Sequence, residues 1–197
     1  VPLVGGEWQE VKTLVIGEPC GVTSANGERV VKTEKLSYFS RVLEAETFQW
    51  QALGETQRRG VATAHKVACL ADGAEWIQGF ADFHRPDARR ILDLPHAGGY
   101  VYAMGQALYG EGTPQALAWG QEQMQRLKTQ GAGPVLQTLQ TLTEAHPQLP
   151  ILEEKLAYLR KREEQMQYPT YQAEGWPIGS GMVESANKLV VEDRLKG

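Results

Sequence analysis

Two cysteines in 197 residues, Cys20 and Cys69, are too few for a disulfide framework, and they form no C-x-x-C pair. Both lie in apolar surroundings, so they read as reduced core residues of a cytosolic protein rather than metal ligands. No apolar run approaches the roughly 20 residues needed to cross a bilayer, and no signal-peptide pattern opens the chain. There is no P-loop, no GxSxG, no zinc-finger spacing and no dinucleotide glycine motif, which removes the readiest nucleotide, serine-hydrolase and zinc readings. Internal repeats and low-complexity tracts are missing too. An excess of positive charge is also lacking: the formal net charge is −4. Nothing global therefore announces nucleic acid. A DNA enzyme can still be acidic overall when its carboxylates crowd a metal site and its basic residues cluster locally. Such clusters are present at Arg58-Arg59, Arg89-Arg90, Arg160-Lys161-Arg162 and from Lys188 to Lys196. No aspartate precedes Asp72.

With 42% apolar and 22% charged residues, the chain reads as one globular domain, or a domain with an insertion. Gly5-Gly6 separates Val1–Val4 from a β-favouring stretch, Trp8–Gly17. Pro19 to Gly27 reads as loop, with Asn26-Gly27 as a tight turn, and Arg29–Phe39 as another strand. The first forty residues thus predict an antiparallel meander. Val42 to Arg59 predicts a helix stopped by Gly60. Lys66–Ala71 predicts a buried strand, Trp76 to Phe83 a helix and Arg90–Leu92 a second strand. Strand, helix, strand with an acid at each exit points to a parallel pair. From Pro95 to about Tyr171 the signals are helical only, with starts at Thr113-Pro114 and Gly133-Pro134 and a stop at Gly131. Leu152, Leu156 and Leu159 keep one apolar stripe on a charged helix running to about Gln167. The expected division is 1–96, a helical block 97–171, and 172–197 with a last helix.

Three places carry candidate chemistry. Asp72 stands at the carboxyl end of a buried strand, where open α/β sheets place reactive groups, although an Asp-Gly turn capping the next helix gives the same sequence. Asp93 and His96 form D-x-x-H after the next strand. They either orient a water, phosphate or metal, or cap the helix opening near Pro95. His65, His84 and His146 lack partners at ligand spacing and read as surface or boundary residues. Glu184 lies on the last helix with Asn187 and Lys188 on a flank apart from the stripe of Met182, Val183, Ala186, Leu189 and Val190. An i,i+4 Glu–Lys pair is the alternative there, set against Gly179, Ser180 and Gly181 crowding backbone into the same turn. The charged segment Glu153–Glu164 reads as a solvated face.

The strings DGAEWI (Asp72–Ile77), RRILDLPHA (Arg89–Ala97) and PIGSGMVESANKLVVEDRLKG (Pro177–Gly197) resemble a branch of bacterial insertion-sequence transposases of the DDE type, related to the Mutator group. EWQEVK (Glu7–Lys12) and RRGVA (Arg58–Ala62) are similar to that branch as well. The resemblance implies an α/β fold: a ribonuclease-H-like mixed five-strand sheet flanked by helices, with an all-α insertion before the last helix. It implies a three-carboxylate site holding Mg²⁺ or Mn²⁺, with Asp72 as second acid and Glu184 as third. The first acid, an aspartate on strand one, is expected just before Val1. His96 keeps the histidine of a C-x-x-H found in related elements, where Asp93 replaces the cysteine, and this implies a role near the scissile phosphate. Asn187, Lys188, Arg194 and Lys196 are expected on DNA phosphates. The partners implied are transposon ends and target DNA, with a homo-oligomer assembled on them. A non-catalytic DNA-binding remnant and a nuclease that cuts without joining are the alternatives.

Overall fold

A computed structural model describes residues 10–23 and 29–186, with only the backbone considered at 22–23, 29–30 and 184–186. The chain divides into two compact units. The first comprises Val1–Cys69, Ala74–Arg89 and Ser180–Gly197; the second comprises Leu70–Gly73 and Arg90–Gly179.

In the first unit, β1 (Lys12–Thr23) pairs antiparallel with β2 (Arg29–Arg41) from Lys12↔Arg41 to Thr23↔Arg29. The strand runs through Pro19, which the sequence places in a loop. Its register slips once between Ile16 and Glu18, where Lys35 takes a left-handed conformation (φ 50°) and so forms a β-bulge. The predicted helix after Val42 is two helices, α1 (Ala45–Gln51) and α2 (Leu53–Arg58), sharing Ala52 as a junction. Phe48 and Ala52 on one side and Phe80 from α3 (Glu75–His84) on the other form the core of this unit. Leu14, Phe39, Leu43 and Trp76 pack around them. The spacing Trp76–Phe80–His84 explains the contact, because residues four apart share a helix face.

His84 extends that face to the edge of the core. Its Nε2 lies 3.0 Å from the Gln49 carbonyl and its Nδ1 3.2 Å from the Thr56 hydroxyl. Burial holds its pKa below the ordinary value of 6.5, with the Gln49 bond opposing in part. The unfolded chain therefore binds the proton more readily than the folded one. This contribution to stability is present above about pH 6.5 and is lost as pH falls below it. Urea unfolding between pH 5 and 7.5 should show the first unit weakening on the acid side. His84→Gln should flatten that slope; an equally steep slope in the variant would assign it elsewhere.

β3 (Ala68–Ala71) and β4 (Arg89–Leu92) begin in the first unit and end in the second. The Arg89 N–H bonds to the Val67 carbonyl (2.9 Å), and the Asp93 N–H to the Ala71 carbonyl (2.7 Å). That constant offset makes the pair parallel, with α3 as its crossover, as the acid-tipped strand–helix–strand pattern predicts. The rest of the second unit is helical: α4 (Leu94–Tyr109), α5 (Pro114–Gln130), α6 (Ala132–Ala145), α7 (Pro150–Arg160), a 3-10 turn Glu163–Met166, and α8 (Tyr168–Ala173). Thr113 caps α5, its hydroxyl accepting the Ala116 N–H, and Pro114 takes the first helical position. Ala97, Val101 and Met104 of α4, Leu139 of α6, and the stripe Leu152, Leu156 and Leu159 of α7 are fully buried. Cys20 and Cys69, expected in the core, are only half-buried. Trp50 is 57% exposed.

The ribonuclease-H-like mixed five-strand sheet is contradicted. Among the described residues there are two sheets of two strands each, β1–β2 and β3–β4. Each strand pairs along one edge only, β1 with β2 and the four-residue β3 with β4, so neither pair extends into a larger sheet among the described residues. Strand propensity marks which segments extend; it does not say which edges join. The expected strand Val1–Val4 and the Asn26-Gly27 turn lie outside the described residues.

Candidate functional site

In the second unit, two acids leave adjacent strand ends, Asp72 after β3 and Asp93 after β4. Asp93 is 6% exposed, and its Oδ2 accepts the backbone N–H of His96 at 3.0 Å. It is the N-cap of α4, with Pro95 in the first turn, a bond worth about 1 kcal/mol. The capping alternative is therefore realised at Asp93. Asp72 is exposed, and Ala74, not Asp72, occupies the N-cap position of α3.

The backbone at Asp72 is held from the helical block. The Tyr158 hydroxyl donates to the Asp72 carbonyl at 2.7 Å. Arg162 donates from Nη2 (2.6 Å) and Nε (3.1 Å) to the Gly73 carbonyl, and from Nη1 to the Tyr158 carbonyl (3.2 Å). On the neighbouring strand, the buried Tyr168 hydroxyl donates to the Leu92 carbonyl at 3.0 Å. Burial pushes the Tyr158 phenol up to about 12, the nearby Arg162 charge opposing, and raises that of Tyr168 as well. Both phenols therefore keep their protons, as donors to a carbonyl must. Arg162 is 7% exposed. A buried guanidinium needs acceptors on several of its N–H groups, and the two carbonyls supply them.

Above these bonds lies a ring cluster. Tyr100 and Tyr158 stack at 3.8 Å and 6°, and His96 sits 5.5 Å from the first and 6.1 Å from the second. The Arg162 guanidinium lies 3.7 Å from the Tyr158 ring centre, and Lys155 Nζ 5.4 Å from that of Tyr100. The structure thus brings Asp72, Asp93 and His96 to one end of the parallel pair, bordered by cations and aromatic faces. The chain matches no protein-family model, no curated protein and no solved structure.

Glu184 falls within α9 (Gly181–Ala186), in the first unit, where that helix packs on β1. Asn187, Lys188, Arg194 and Lys196 lie outside the described residues. Asp72 offers the hard oxygen donor that Mg²⁺ takes. Among the described residues no group of three or more His, Cys, Asp or Glu side chains is placed to hold a metal ion.

Sequence reasoning missed Tyr158 and Arg162, reading Glu153–Glu164 as a solvated face, and did not single out Tyr168. One signal was available. Arg162 stands three residues beyond Leu159, in line with the stripe of Leu152, Leu156 and Leu159, and Tyr158 is four residues before it. An arginine that continues an apolar stripe needs a buried partner.

Proposed function

We propose that this chain is the catalytic part of a DDE-type DNA transposase, cleaving and joining DNA phosphodiesters with Mg²⁺ or Mn²⁺. The proposal concerns chemistry and substrate, and does not bring the five-strand sheet with it. The observation that carries it is Asp72: an exposed acid at the tip of a parallel strand, its backbone held by Tyr158 and Arg162, with His96 at the neighbouring strand's exit. Parallel strand tips are where α/β sheets put reactive groups, and a clamped backbone is what a ligating carboxylate needs.

In this reading Asp72 and Glu184 are the metal-binding carboxylates, Glu184 on the strength of the sequence string alone. Mg²⁺ or Mn²⁺ held by these carboxylates would supply Lewis-acid activation of the attacking oxygen and charge stabilisation of the leaving one. His96 contacts the scissile phosphate. Asn187, Lys188, Arg194 and Lys196 bind backbone phosphates, which gives affinity that falls with salt and carries no base readout. The DNA ends hold copies of the protein together as a homo-oligomer.

The test is Mg²⁺-dependent cleavage and joining of element-end DNA by the protein that carries this chain. Asp72→Asn and Glu184→Gln should each reduce both steps to background while leaving DNA retention in place. Variants that still join ends would remove these residues from the site. Cleavage without joining in the parent protein would make it a nuclease.

A further inference from the structure

The helical block does more for the candidate site than cover it. Tyr158 ends its side chain on the carbonyl of Asp72 itself, and Arg162 forks onto the carbonyl of the next residue. Gly73 leaves room for nothing else: a Cβ there would meet Arg162 Nε at 2.6 Å and the Tyr158 hydroxyl at 2.8 Å. The two donors also brace each other, through the Arg162 Nη1 bond to the Tyr158 carbonyl and the guanidinium over the phenol ring. Tyr100 stacks on Tyr158 and fixes the ring plane. Without such a latch an exposed Asp-Gly turn at a strand tip samples several backbone conformations, since glycine permits most of them.

We propose that Tyr158 and Arg162 are positioning residues for Asp72, latching the Asp72–Gly73 backbone so that the carboxylate is presented in one orientation. Asp72 as a metal ligand rests on the function proposed above; the latch does not. Partners that orient a ligand typically alter metal affinity by about 10–100-fold when removed. The latch joins residues far apart in the sequence, 86 positions between Tyr158 and Asp72 and 89 between Arg162 and Gly73. It therefore forms only when the helical block has folded onto the strand ends.

Two variants test this in the full chain. Tyr158→Phe keeps the ring stack and deletes the hydroxyl, and Arg162→Lys keeps the charge and loses the fork. Carbonyl ¹³C shifts of Asp72 and Gly73 read the latch directly, without reference to function. Tyr158→Phe should move the Asp72 signal and Arg162→Lys that of Gly73. The ¹⁵N order parameters of residues 72–74 should fall in both variants. Manganese alone, titrated and followed by its paramagnetic resonance, reads the consequence. Affinity should drop about tenfold in each variant and vanish in Asp72→Asn, with melting of Tyr158→Phe close to the parent.

Unchanged carbonyl shifts and order parameters would overturn the latch. Altered shifts with manganese affinity held at the parent level would overturn the positioning role. If the parent binds no manganese through Asp72, the proposed function fails, while the shifts and order parameters still decide the latch.

Discussion

Gly73→Ala should destabilise the second unit by about 2–4 kcal/mol, measured as a fall in the denaturant midpoint. Two costs combine. Gly73 has φ +80°, where a side chain costs about 1–2 kcal/mol. The added methyl also has nowhere to go, with Arg162 Nε at 2.6 Å, the Tyr158 hydroxyl at 2.8 Å and Leu92 Cδ1 at 2.9 Å. Overpacking of this kind costs about 1–3 kcal/mol. Arg162 cannot swing aside without giving up both bonds to the Gly73 carbonyl.

A second substitution separates the two costs. Asparagine tolerates left-handed backbone better than alanine but still brings a Cβ. Gly73→Asn should therefore keep most of the loss. Recovery to near parental stability would show that conformation, not crowding, is what Gly73 supplies.

The same turn shows how far the sequence could be read. Asp72-Gly73 was visible as the close of a strand, although β3 is half-buried rather than buried as expected, and the parallel pairing of β3 and β4 followed from the strand–helix–strand order. Helix starts were legible where side chains bond locally, as Thr113 does to Ala116 and Asp93 to His96. Those signals sit within three residues of the bonds they predict. The clamp on Asp72 was not legible, because its donors lie more than eighty positions away and look like ordinary residues of a charged helix. The sheet failed for a related reason. The antiparallel pairing of β1 with β2 was legible in the meander pattern, but a sheet's size is set by long-range edge pairing, and nothing in either strand pair says that the two pairs stay separate. At Ala52 the failure was local: one helical period covers α1 and α2, and the junction leaves no proline or glycine mark at that residue.

In the first unit the largest loss should come from Phe48→Ala, about 3–5 kcal/mol. Phe48 is 1% exposed and stands at the centre of the aromatic cluster. Its ring lies 5.4 Å from Phe39 of β2, 5.9 Å from Trp76 in an edge-on arrangement, and 5.8 Å from Phe80. Each such pair adds about 0.5–1.5 kcal/mol beyond simple burial. The ring joins three elements: Ala52 and Phe80 are the other buried members of its cluster, and Leu14, Phe39, Leu43 and Trp76 pack against it. Collapse into the vacated space would require β2 and α3 to approach each other, and the rigid Trp76 and Phe80 rings resist that. The expected value is thus in the upper half of the range. Phe48→Leu, which keeps most of the volume, should lose distinctly less. Hydrogen exchange should localise the effect, with amides of β1, β2 and α3 losing protection in Phe48→Ala. A loss below about 1 kcal/mol would mean that the cluster repacks freely, and would place the core of this unit elsewhere.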